Sequence, residues 1–364
     1  MDNFLASKQA SKQASKQASK QASKQASKQA SKQRNLQIEG LRGLSILIIV
    51  LYHIFDRYQQ LYLGQEIKWM NFWGSLGVTS FFLVSGLFAI NNKTGHGIKI
   101  GINYFCKRFL RLWPTYILAL VVIFCITHLI PIADRTVSFH DLMSNTVFIN
   151  RFLSIPYVDG SHWYLSTLVT MFLIVSILQA MGIHKKPLSY ILWLFLEMII
   201  DRLNTREIYP IGGPFIGAFC AGIALMRLIR GWGEESQANK ILWISIIPLG
   251  TIDILLGWRI LAGVELFFCI VIVYMCLKEM LPLLAIKPLV FIGTISYPLY
   301  LIHQNLSFVI QNILSEKFGY SLICPTIAFV IMFTMGILVY YYYEKPIQKI
   351  FNDIFSQYDD VNKS

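Results

Sequence analysis

The chain has 364 residues, of which 55% are hydrophobic and only 14% charged, where a soluble domain carries roughly 25% charged residues. Together with a mean hydropathy of +0.53, this excludes a soluble single-core enzyme and makes lipid the solvent for most of the sequence. The net charge of +12 falls to +5 once seven evenly spaced N-terminal lysines are set aside, and with no basic-aromatic groove or zinc spacing beside it no nucleic-acid partner is expected.

Those lysines belong to residues 7 to 33, which repeat Ser-Lys-Gln-Ala without a substitution. So polar a tract cannot bury enough apolar surface to offset its ordering entropy, so residues 1 to 34 are expected to form a disordered tail. It lacks the apolar stretch of a secretory signal. At the level of the gene, Ser-Lys-Gln-Ala can be written AGC-AAG-CAA-GCA, the tetranucleotide AGCA three times over. A tract of that kind slips during replication, so expression is expected to be phase-variable.

From Arg34 onward, apolar stretches fall near 36–55, 73–90, 112–130, 163–182, 188–200, 211–229, 241–257, 260–277, 289–313 and 322–343. They predict an all-α polytopic bundle of about ten transmembrane helices over 35–350, with a short cytoplasmic tail at 351–364. With the repeat lysines set aside, basic residues still divide about two to one in favour of the side holding both termini, which is therefore assigned to the cytoplasm. The six cysteines are scattered without a Cys-x-x-Cys pair and read as small core residues, with no metal site indicated.

Charged and titratable side chains in lipid are costly, so those inside spans are candidates for function. The first span holds Glu39, Arg42 and His53. Arg42 and His53 lie eleven residues apart, about 20° past three full turns and about 16 Å along a continuous helix, hence on one face and expected in one chamber. A guanidinium at the membrane face suits a phosphate or carboxylate, and an imidazole at depth suits proton transfer. The plainer reading is a snorkelling arginine and a satisfied core histidine. In the second span Ser85 and Gly86 permit close helix approach or a break beside a cavity. At the start of the third, Lys107, Arg108 and Arg111 form either a fork for an anion or an interfacial anchor. In the ninth, Ser296, Tyr297, Pro298, Tyr300 and His303 put a proline kink beside a second histidine.

These elements occur in a telling order: Ile38-Glu39-Gly40-Leu41-Arg42-Gly43-Leu44-Ser45 leading to His53, Phe81-Phe82-Leu83-Val84-Ser85-Gly86, Arg108-x-x-Arg111 with Pro114, Trp163-Tyr164-Leu165, Ser296 to His303, and Glu344-Lys345-Pro346. The set resembles the acyltransferase-3 family of integral membrane acyltransferases that modify bacterial surface glycans, over about 35 to 350. The resemblance implies a bacterial inner-membrane enzyme passing an acetyl group from acetyl-coenzyme A to a sugar hydroxyl. It makes His53 the catalytic histidine, as base or acyl carrier, with Arg42 as its partner and Glu39 where an aspartate is common. It assigns Arg108 and Arg111, with Lys107 beside them, to the cofactor's phosphates. Ser85, Trp163, Tyr297, His303 and Glu344 are the remaining motif positions, with substrate or structural roles. About twenty residues follow Glu344, which implies the form without a fused esterase domain. Phase variation points to lipopolysaccharide or lipooligosaccharide as acceptor. Ten spans with buried polar residues also suit a carrier of lipid-linked sugars or a proton-coupled solute.

Overall fold

The computed structural model describes residues 35–90, 95–203, 212–213, 215–231, 235–257 and 260–361; the repeat tract lies outside them. The described residues are mostly helical, with no strand among them. The helices are α1 (Leu36–Tyr62), α2 (Lys68–Leu87), α3 (Ile98–Leu129), the short α4 (Phe139–Thr146), α5 (Trp163–Ala180), α6 (Pro187–Leu203), α7 (Ile216–Arg230), α8 (Gln237–Gly257) and α9 (Ile260–Leu277). A segmented stretch follows, α10 (Lys287–Thr294), α11 (Ser296–Ile302) and α12 (Asn305–Phe318), then α13 (Ile323–Val339) and α14 (Lys345–Val361).

Five described helical stretches are long and apolar enough to cross a membrane: Leu36–Tyr62, Ile98–Leu129, Gly160–Ala180, Gln237–Leu255 and Ile323–Phe355. The other expected spans correspond to α2, α6, α7, α9 and the stretch α10–α12. Two boundaries moved for physical reasons. Helix α3 begins well before the apolar run, so its basic residues ride on an extra-long helix that leaves the hydrocarbon layer. The C-terminal segment, expected only as a tail, continues α13 through a π turn at Tyr340–Glu344 into α14.

Local chemistry sets where these helices start. Asn35 caps α1, its side-chain oxygen accepting from the Gln37 and Ile38 amides at 3.0 Å, while its Nδ2 donates to the Cys276 carbonyl at 2.9 Å. One side chain thus starts α1 and ties it to the end of α9. Ser138 and Asp141 form a reciprocal capping box on α4, and the Ser138 hydroxyl and amide hold the Asp141 carboxyl below its ordinary range.

Packing is closest where glycine removes the side chain. A Cβ on Gly40 would lie 1.6 Å from the Leu284 carbonyl oxygen, one on Gly43 2.0 Å from that of Leu289, and one on Gly293 2.0 Å from that of Glu39. Helix α1 and the segment from Leu284 to Gly293 therefore meet backbone to backbone. Lipid tails supply no hydrophobic drive between helices, so van der Waals contact at such small residues carries the association.

Gly43→Ala should separate the two backbones and lower stability by about 1–3 kcal/mol, the usual cost of overpacking. Thermal unfolding in detergent measures it; an unchanged midpoint would mean that the contact is looser than described.

Candidate active site

A cavity of about 600 Å³ opens among α1, α2, α3, α5, α7 and the α10–α11 stretch. Its polar lining includes Glu39, Arg42, Ser85, Arg108, Arg111, Tyr164, Tyr297, Tyr300 and Glu344 from the sequence analysis, and Arg230 besides. Arg42 donates to Glu39 Oε2 at 3.3 Å and to Ser296 Oγ at 3.1 Å, so the carboxylate one turn earlier on α1 aims the guanidinium at the start of α11. The Arg108 guanidinium donates to the Phe88 carbonyl and lies over the Tyr104 and Phe172 rings, which fixes its plane. Tyr297 donates to the Leu112 carbonyl at 2.7 Å, linking α11 to α3 beside Arg111. Glu344 is buried, and its Oε2 has no hydrogen-bond partner. Four arginines around one apolar-walled cavity fit a polyanion with an apolar arm.

His53 is not part of this lining. It lies one helical turn beyond Ile49, which is, and its Nδ1 sits 2.8 Å from Nε2 of the fully buried His303. The α-helical register that relates Arg42 to His53 runs to Leu51, where α1 widens into a π turn over Tyr52–Arg57. Both side chains face the α11 stretch, Arg42 reaching Ser296 at its start and His53 reaching His303 just past its end, while only the guanidinium lines the cavity.

Hydrogen-bond roles in the imidazole pair follow by elimination. His303 Nδ1 lies 2.7 Å from the Tyr300 carbonyl oxygen, which can only accept, so Nδ1 carries the proton. In the neutral ring Nε2 is then an acceptor, and His53 Nδ1 must donate to it. His53 Nε2 is left with a free lone pair. The chain from the Tyr300 carbonyl through His303 to His53 thus fixes the tautomer in which the outer nitrogen can take up a proton.

The segmented stretch makes this possible. A single helix over 289–313 would have consumed the Tyr300 carbonyl internally. Pro298 has no amide to bond the carbonyl of Thr294, and the chain breaks at Ile295 and again at His303–Gln304. Freed groups find partners from the loop before α5. His162 Nε2 donates to the Leu301 carbonyl at 2.9 Å, the Tyr300 hydroxyl donates to the Ser161 carbonyl, and Asp159 Oδ2 accepts from the Asn305 amide at 2.9 Å, capping α12.

Besides the two histidines, two of the expected residues stand apart from the cavity. The Lys107 ammonium lies 5.5 Å from the Phe355 ring centroid on α14, and Trp163 packs against the stacked pair Phe82 and Phe215. Sequence reasoning missed Asp159, His162 and Arg230. Asp159-Gly160-Ser161-His162 just before an apolar helix is a readable capping signal, whereas Arg230 reads as one more basic residue at a helix end. Among the described residues no group of three or more His, Cys, Asp and Glu is arranged for a metal ion.

A family model described as an acyltransferase domain matches residues 35–345. No curated protein and no solved structure matches the chain.

In protein labelled with ¹⁵N-histidine at mildly alkaline pH, NMR should report His53 with its proton on Nδ1. His303→Ala should convert that signal to the mixture of tautomers of an unconstrained imidazole; a mixture in the unaltered protein would break the derivation.

Proposed function

The chain belongs to the acyltransferase-3 family and is a membrane acyltransferase, and from that premise we propose that it carries an acetyl group from acetyl-coenzyme A to a hydroxyl of a bacterial surface glycan. The observation that carries the reading is the lone pair left on His53 Nε2 by the His303 hydrogen bond, one turn from a cavity lined by arginines.

In this reading Arg108, Arg111 and Arg230 hold the donor's phosphates, and Arg42, oriented by Glu39, balances negative charge deeper in the cavity. When bound, the donor supplies an activated acetyl thioester. His53 Nε2 takes the proton of the acceptor hydroxyl as that oxygen attacks the thioester carbonyl, the C–S bond breaks, and the imidazolium returns the proton to the departing thiolate, so that ester and free coenzyme A form without a free alkoxide. His303 acts through His53: accepting from Nδ1–H, it holds the tautomer and disperses charge when the ring becomes imidazolium. An acyl-histidine would use the same nitrogen, but direct base catalysis needs one transfer fewer.

The acceptor we propose is lipopolysaccharide or lipooligosaccharide, and the setting a bacterial inner membrane. The Ser-Lys-Gln-Ala tract supports this choice, because a switchable gene implies a product exposed to host immunity. Mixed synonymous codons across the tract, or a constant length among sibling isolates, would remove that support.

His53→Ala at normal membrane abundance should abolish glycan acetylation, read as loss of one acetyl from the surface-glycan mass spectrum; retained acetylation would remove His53 from the chemistry. Arg108→Ala and Arg111→Ala should each raise KM for acetyl-coenzyme A about tenfold or more, the cost of one charge-assisted phosphate contact, with a smaller effect on kcat. Steady-state kinetics of purified protein check this. An unchanged KM in both would place the donor elsewhere.

A further inference from the structure

Beyond His53, at the opposite end of α1 from Arg42, stand two arginines that the reading above leaves without a task. Arg57 follows His53 by four residues and donates to Gln60 Oε1 at 2.8 Å. Arg135 comes from the loop after α3; its Nε donates to the Tyr62 hydroxyl at 3.3 Å and its guanidinium lies 5.5 Å from the Phe308 ring centroid. A Cβ built on Gly160 would lie 3.1 Å from Arg135 Nη1 and 3.1 Å from Nε2 of Gln304, the residue directly after His303. Arg135 therefore overlies the connection that carries one imidazole, and Arg57 the helix that carries the other. Both lie near enough for their charge to act on the His53 ring.

Neither cation has a carboxylate in direct contact. Among the described residues no carboxylate lies within 4.0 Å of either guanidinium. The buried acids of this end direct their hydrogen bonds elsewhere: Asp56, whose charge acts on Arg57 across Gln60, accepts from the Ile67 amide and from Gln60 Nε2, each at 2.6 Å, and Asp159 accepts from Ser161 and Asn305. Glu66 and Asp134 are exposed. Two guanidiniums with no carboxylate in contact, both acting on an imidazole that must become cationic during turnover, are a Coulombic liability, which an anion bound by them removes. A glycan hydroxyl reaching His53 Nε2 brings its neighbouring substituents into that space.

We propose that Arg57 and Arg135 form an anion-binding site for the acceptor, so that the glycan acetylated here carries a phosphate or carboxylate close to the reacting hydroxyl. This rests on the acetyl-transfer reading for its meaning, and on the two guanidiniums for its existence. Both anions offer the planar or tetrahedral oxygens that guanidiniums bind in pairs.

The test uses the full chain in detergent and three small acceptors: methyl glucoside, methyl glucuronoside and methyl glucoside 6-phosphate. Binding titrations followed by ligand-observed NMR should give at least about tenfold tighter binding of a charged glycoside than of the neutral one. The better of the two charged probes identifies the group as carboxylate or phosphate. Added salt should erode the preference. Arg57→Gln and Arg135→Gln should each remove about tenfold of it, and Arg135→Lys should retain part. Equal binding of all three by the unaltered protein, or a preference indifferent to salt, overturns the proposal without any variant. Turnover of the same glycosides with acetyl-coenzyme A judges the other reading separately. Charge-selective binding with no acetyl transfer to any of them sinks the transferase chemistry and leaves the anion site standing; transfer without charge preference does the reverse.

Discussion

The architecture depends on one contact: α1 laid against residues 284–293 so closely that three positions cannot carry even a methyl group. Everything chemical follows from that registration. At its near end it delivers Arg42 to Ser296, and at its far end, where α1 has widened, it brings His53 to His303. Were the two backbones separated by the extra ångströms that side chains demand, both hydrogen bonds would be lost together. A glycine-rich motif around an arginine is thus as much about the approach of the partner segment as about the arginine.

Backbone breaks inside a membrane protein are tolerated only where the freed amides and carbonyls are satisfied by protein. The α10–α12 stretch meets this demand with side chains: imidazoles on the Tyr300 and Leu301 carbonyls and a carboxylate on the Asn305 amide. Each satisfying group is itself fixed by doing so. His303 presents Nε2 to His53 because its Nδ1 has been committed to a carbonyl that a continuous helix would never have exposed. The irregular backbone is in that sense the source of the tautomer, and the tautomer is the source of the free lone pair.

Much of this was legible in the sequence, and the exceptions have physical causes. Hydropathy alone marks the apolar helices, because burial in lipid demands long uninterrupted runs. Spacing puts Glu39 and Arg42 together, since neighbours one turn apart on an α-helix always are. It turns His53 toward the same partner segment as Arg42 but does not foretell the bond to His303, which depends on where that segment breaks. The proline at 298 advertises a distortion, but not that the helix divides twice or that a loop some 140 residues earlier supplies the caps. Lys107 fails differently. It sits one residue from Arg108, hence about 100° around α3, and so points toward α14 instead of into the cavity.

The separation of cavity and imidazole carries its own logic. Binding a polyanion takes several guanidiniums, and a field of that strength at the reacting centre would oppose every step in which the base becomes cationic. Distance solves the conflict: Arg42 and His53 lie about 16 Å apart along α1, with the apolar Ile49 of the cavity lining between them in the chain. A donor that carries its reactive group on a long uncharged arm can be held by its phosphates at one end while the thioester reaches the other. Arg57 and Arg135 are the exception to this rule of distance. They stand near His53, where the anion we propose on the acceptor would balance their charge.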